Sequence, residues 1–233
     1  YKICSVQDGQ LLCFKMMYLV FIMMVSTVSW SSLGAQSYGP WNQFADIDFE
    51  DGTSTDLLGN AETKLENGVS FVNDTDRGGG KVAQFNGDTR AWLKFMENPL
   101  KDTMTIGFWF KREDADPSDP WRMIFAFSAT DGSDMYLTPR TTWNEDAYFI
   151  SDNRSYSIYS GIQGKPVVNE RWYHYTLVLF GNHVQLYQDG QLTGERILIS
   201  RVSEMKFNQW YFINNPVKDF PLSGRLDDLK IFH

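Results

Sequence analysis

From Trp41 onward the sequence is built of short runs in which apolar residues recur at every second position, each run broken by Gly, Asn, Asp or Pro. Period-two alternation sends successive side chains to opposite faces of an extended strand, so it confines such a chain to sheets. The plainest run is TMTIGFWFKR (Thr103–Arg112), which puts Ile106, Phe108 and Phe110 on one face and Trp109 on the other. Ile47 and Phe49 share a face in the same way, and DLLGNAETKLENG after them reads as a loop. In Trp172–Phe180, Trp172, His174, Thr176 and Val178 share one face, and Tyr173, Tyr175, Leu177 and Leu179 the other. Both faces are apolar, as in a strand covered on both sides or lining a groove. Gly181–Asn182 and Asp189–Gly190 supply the turns on either side of His183–Gln188, because these residues tolerate positive φ. No segment keeps a helical period over three turns, and LISRVSEMKF allows one short helix. Roughly a dozen strands with turns every 8–12 residues predict a β-sandwich or barrel.

The N-terminus departs from this pattern. Met16–Val25, MMYLVFIMMV, is an apolar run too short to span a bilayer comfortably, preceded by Lys15 and followed by small and polar residues. Residues 1–36 are expected to be a secretory signal with upstream sequence, cleaved near Gly34–Ser37; an uncleaved anchor is the alternative. The expected folded domain is 38–233, secreted, extracellular or on the cell surface, or periplasmic in a bacterium. Once cleaved, it has no membrane partner. Cys4 and Cys13 both precede the apolar run, so the mature chain would hold no disulfide, thiol nucleophile or thiolate metal ligand. The net charge is −8 with no Lys/Arg cluster, which argues against nucleic acid and anionic membrane surfaces. Acidity with 15% aromatic residues suits a neutral polar ligand such as a glycan, or a cation.

Four landmarks stand in order along the chain. DFEDGTSTDLLGN opens it and KVAQFNG follows. Next come Trp172, His174 and Leu177 with Tyr187, Asp189, Gly190 and Leu192, and SGRLDDLKIFH closes it. Together they resemble the laminin-G-like/concanavalin A-like lectin and glucanase family over about Phe44–His233. The resemblance implies an all-β jelly roll of two antiparallel sheets. It leaves function open, because the fold hosts lectins, carbohydrate-binding modules, adhesion modules and hydrolases. Glu50 and Asn86 stand where that family usually has Asp. Relatives usually continue past the last strand, so further domains of a longer parent protein are expected partners.

The resemblance also implies a structural Ca²⁺ where first and last strands meet. The matching positions are Glu50, Asp227 and the carbonyl of Gly87, with Asp228 alternating to the opposite face from Asp227. The alternative is that these acids are edge charges. Trp172 and His174, about 7 Å apart on one strand face, read as a core Trp with a satisfied His, since no nucleophile or acid partner is in view. Enzyme signatures are missing. No E-x-D-x-x-E string sets two carboxylates about 5–5.5 Å apart, and no G-x-S-x-G, H-E-x-x-H or phosphate loop occurs. Glycan binding needs aromatic platforms with a few hydrogen-bonding partners. The candidates are Trp121, Arg140, Trp143, Tyr148 and Arg154, among further tyrosines (Tyr136, Tyr156, Tyr159), with Trp143 beside a turn the foremost. The expected function is non-catalytic carbohydrate recognition. The alternatives are a protein-binding adhesion module, or a hydrolase or lyase of the same fold.

Overall fold

The computed structural model describes residues 42–66, 68–87, 92–113, 122–129, 134–139, 146–153, 158–198, 200–213 and 222–233, with only the backbone for 146–153 and 158–160. The first strands are β1 (Gln43–Ile47), β2 (Thr63–Leu65), β3 (Val69–Asn73), β4 (Lys81–Asn86), β5 (Leu93–Phe95) and β6 (Thr103–Arg112). β7 (Phe125–Ala129), β8 (Asp134–Thr138), β9 (Asp146–Asn153) and β10 (Ile158–Pro166) follow. The chain closes with β11 (Trp172–Phe180), β12 (His183–Gln188), β13 (Gln191–Ile197), β14 (Phe207–Phe212) and β15 (Ser223–Phe232). The one helix that LISRVSEMKF allowed is a single 3-10 turn, Val202–Glu204. Among the described residues no helix is long and apolar enough to cross a membrane.

Alternation builds two antiparallel sheets. The first has the order β13-β12-β11-β6-β15-β4-β3, with β1 also paired to β15; the second has the order β10-β9-β8-β7-β14-β5-β2. β2 lies inside the segment read as a loop. The remainder of that loop is fixed by buried Asp56, whose carboxylate accepts from the amides of Asp46, Leu58, Asn60 and Ala61. Strand β15 is central to the first sheet. It pairs with β6 along most of its length, with β4 through Ser223–Leu226, and with β1 through Leu229–Phe232. Reciprocal backbone bonds between Asn42 and His233 join the first strand to the last.

The inner faces make the core. In the first sheet Ile231, Ile106, Leu177 and Leu186 are cross-strand partners, and all are buried. In the second, Leu93, Phe212, Phe125 and Leu137 form the facing row. Phe108 joins the layers. Its ring meets Phe125 and Phe212 edge-on at 6.2 and 5.5 Å and stacks on Tyr175 at 5.7 Å. At the β13 edge the sheets pinch, because a Cβ on Gly194 would lie 2.6 Å from Ile162 Cγ2 of β10.

Two expectations about strand faces resolve here. Tyr173, Tyr175, Leu177 and Leu179 face the core, whereas Trp172 and His174 lie half-buried on the outer face of the first sheet, so Trp172 is not a core residue. The predicted alternation of Asp227 and Asp228 fails. A bulge between Asp227 and Lys230, with Asp228 at φ 49°, inserts one residue into β15. The core positions Leu226 and Leu229 are consequently three residues apart instead of two, and both carboxylates reach the same outer face.

Candidate functional site

The outer face of the first sheet is crossed by the connection from β3 to β4. Asp74 caps a 3-10 turn, Thr75–Arg77, by accepting from the Asp76 amide at 2.9 Å, and Gly78 and Gly79 turn the chain back with φ of 84° and 86°. Beneath this strap lie Trp109 of β6 and Trp172 of β11. The Arg77 guanidinium carbon sits 4.3 Å from the Trp109 ring centroid and 5.8 Å from that of Trp172, and Lys111 Nζ is 5.3 Å from Trp172. Arg77 Nε donates to Asp227 Oδ2 at 2.8 Å and its Nη2 to Asp228 Oδ2 at 2.7 Å.

Asp74 is the buried centre of a second group of charges. Its Oδ2 accepts from Lys111 Nζ at 2.8 Å and from Arg225 Nη1 at 2.7 Å. Burial works to raise its pKa, but hydrogen bonds from these two cations outweigh that and hold the carboxyl at about 2. Asp227 goes the other way. Burial, then the neighbouring Asp228, push it up to about 6 in spite of Arg77. His174, beside Trp109 at 5.0 Å between centroids, is driven below its usual value by burial and by Arg77, so it is neutral at pH 7. Its backbone N–H donates to Asp189 Oδ1 at 2.9 Å, and the Asp189–Gly190 turn has positive φ at both residues.

The residues expected to hold calcium do not converge. Glu50 sits at the start of β4, where its Oε2 accepts from the Lys81 amide at 3.0 Å. Gly87 follows the other end of β4, about 20 Å away along the strand. Asp227 is taken by Arg77. Calcium needs six to eight oxygens at one point, and among the described residues no three His, Cys, Asp or Glu side chains are grouped to hold a metal ion. The three residues therefore do not fit a calcium site.

The outer face of the second sheet carries a different chemistry. Lys94, Tyr211, Ala126 and Tyr136 are successive cross-strand partners on β5, β14, β7 and β8. Trp92 meets Tyr211 edge-on at 5.9 Å, and Lys94 Nζ lies 5.7 Å from the Tyr211 ring centroid. Tyr211 is buried, whereas Trp92, Lys94 and Tyr136 are half-buried. Ser128, Asp134 and Thr138, on the same face of β7 and β8, are buried polar groups. In the backbone register, Tyr148 of β9 pairs with Thr138 and with Gln163. The side chain of Tyr148 lies outside the described residues, as do Trp121, Arg140, Trp143 and Arg154.

Trp92, Lys94 and Tyr211 went unnoticed in the sequence because each sits in a run that reads as ordinary strand. Arg77 and Asp74 left a trace in NDTDRGGGK, where an acid-rich turn ends on three glycines.

The sequence profile described as the concanavalin A-like lectin/glucanases superfamily (Laminin_G_3) matches residues 86–233. The chain belongs to this family. No curated protein sequence matches it. Among solved structures it is similar to domain 4 of AbnA, a GH43 extracellular arabinanase from Geobacillus stearothermophilus, in complex with arabinotriose. The identity is 15% and the TM-score 0.66, over 83% of this chain and 93% of that one. It is also similar to the binding domain of Paraclostridial Mosquitocidal Protein 1, at 16% identity and TM-score 0.62, over 82% of this chain and 48% of that one. A botulinum neurotoxin type C structure, whose cell entry depends on two ganglioside molecules, matches at 16% identity and TM-score 0.62, over 82% and 47%. The chain spans about half the length of these toxin chains. At such identities the likeness concerns the fold.

Proposed function

We propose that this chain is a non-catalytic carbohydrate-binding module of a secreted or cell-surface protein. The observation that carries the reading is the row Lys94–Tyr211–Ala126–Tyr136 with Trp92 at its end. The half-buried rings of Trp92 and Tyr136, at either end of buried Tyr211 and Ala126, offer apolar faces to sugar C–H groups, and the Lys94 ammonium and the Tyr136 hydroxyl beside them hydrogen-bond to sugar oxygens. Support also comes from the arabinotriose-bound and ganglioside-linked domains that share the fold. The carboxylates on the first sheet favour no hydrolysis: Asp74, Asp227 and Asp228 are all engaged by cations of this chain. A glycosidase needs one carboxyl free to give a proton and a second placed across the sugar.

The test is a glycan array, including arabinan oligosaccharides and sialylated glycans, probed with the protein and its Trp92→Ala and Trp143→Ala variants. Binding by the wild type, weakened roughly tenfold or more in a variant of unchanged Tm, is the expected result. A second reading is protein adhesion. It is favoured by Phe180 and Ile197, 69% and 68% exposed, both paired in register with His183 on the outer face of the first sheet. An array without a hit would move the assignment to that reading.

A further inference from the structure

The resemblance implies a calcium ion among acids of the first and last strands, yet in this chain the carboxylates of the bulge are held by one of its own side chains. Arg77 reaches them from the β3–β4 strap with two separate nitrogens, at 2.8 and 2.7 Å, while its guanidinium lies 4.3 Å from the centroid of Trp109. Two acceptors meeting one edge of a fork, with an aromatic ring against its face, select a planar cation. A spherical divalent ion would want several more oxygens, and Glu50 and Gly87 are too far apart to provide them. The seat also costs something to build. Asp228 takes φ 49°, a left-handed conformation that Asp tolerates better than most residues with a side chain, and Asp227 is only 5% exposed beside a second carboxylate. Without Arg77 the buried Asp227 carboxylate would lose its cation, and Lys230, 3.7 Å from Asp228, would be left as the cation facing the pair.

We propose that Arg77 is the resident cation of this domain: its guanidinium fills the Asp227–Asp228–Trp109 seat, folding needs no calcium there, and the seat, once vacated, takes up a free planar cation. This goes beyond the carbohydrate reading and does not depend on it.

The experiment is thermal unfolding of the full chain and of Arg77→Ala, with chelator, millimolar calcium or millimolar methylguanidinium. The wild-type Tm is expected to ignore chelator and calcium. Arg77→Ala is expected to fall by roughly 10 °C, with part of the loss restored by methylguanidinium and less of it by calcium. A neutral control, Arg77→Met with Asp227→Asn and Asp228→Asn, removes cation and carboxylates together and should unfold within a few degrees of wild type; should Arg77→Ala alone fail to fold while this control folds, the proposal stands. A wild-type Tm lowered by chelator overturns it. So does an Arg77→Ala Tm equal to wild type, a recovery by calcium matching that by methylguanidinium, no recovery by methylguanidinium in a folded Arg77→Ala, or a control that is as unstable as Arg77→Ala.

Discussion

The guanidinium of Arg77 lies 4.3 Å from the ring centroid of Trp109, although the strap that carries one and the strand that carries the other are separated by β4 and β15 in the first sheet. One turn of chain is thereby tied across the outer surface of the sheet, and the ring and the acids share the work of holding it.

Replacing the ring should loosen the strap without touching the core. Trp109→Leu is expected to cost about 1–2 kcal/mol, the range of a partly desolvated cation–π contact, and to speed amide exchange in Thr75–Gly80 more than in β6. Chemical denaturation with hydrogen exchange measures both. Equal loss of protection in strap and strand would contradict this division.

Asp74 gives the domain an acid-sensitive tie. Its folded pKa of about 2 lies below the ordinary 3.8, so its contribution is present above pH 3.8 and is lost as pH falls toward 2. Asp74→Asn leaves Lys111 and Arg225 without their shared carboxylate and should cost about 3 kcal/mol at neutral pH. The gap between variant and wild type should narrow below pH 3.8 in a Tm-against-pH series; a gap independent of pH would refute the assignment.

Asp227 has the opposite sign. Its pKa is raised to about 6, so between pH 3.8 and 6 the folded state binds more protons than the unfolded one. Stability from this group therefore falls as pH rises through that window. Asp227→Asn keeps an acceptor for Arg77 but cannot titrate, so the variant should gain on the wild type from pH 4 to 6 and hold that gain above it. Parallel curves would show that Asp227 does not titrate there.

Tyr175 should improve on losing its hydroxyl. That oxygen is buried beside Phe108 without a hydrogen-bond partner among the described residues, and burial drives its pKa up. Tyr175→Phe keeps the ring and removes the desolvated group, for an expected gain of about 1 kcal/mol. Urea denaturation measures it, and a loss of similar size would mean that the hydroxyl has a partner.

The strands were readable in the sequence because alternation and turn residues act locally. Ile106, Phe108 and Phe110 face the core as their spacing requires, and Asp189–Gly190 makes its turn for the reason its residue types suggest. Pairing across long separations was less legible. One bulge at Asp228 reverses the face of a side chain, and no local pattern in LDDLK announces it. The calcium set failed for the same reason. Glu50, Gly87 and Asp227 match a family pattern in order along the chain, but where they stand in space depends on the path of β4 and on an arginine from a turn that no strand pattern includes.

β15 lies between β6 on one side and β4 and β1 on the other, and it follows all the other described strands of this domain along the chain. A ribosome delivering the chain from its N-terminus therefore presents β1, β4 and β6 with the edges that face β15 bare until Ser223–Phe232 emerges. Such edges recruit foreign strands readily. Nascent chains stalled before Ser223 should accordingly be clients of holdase chaperones, and release should coincide with arrival of the final ten-residue strand.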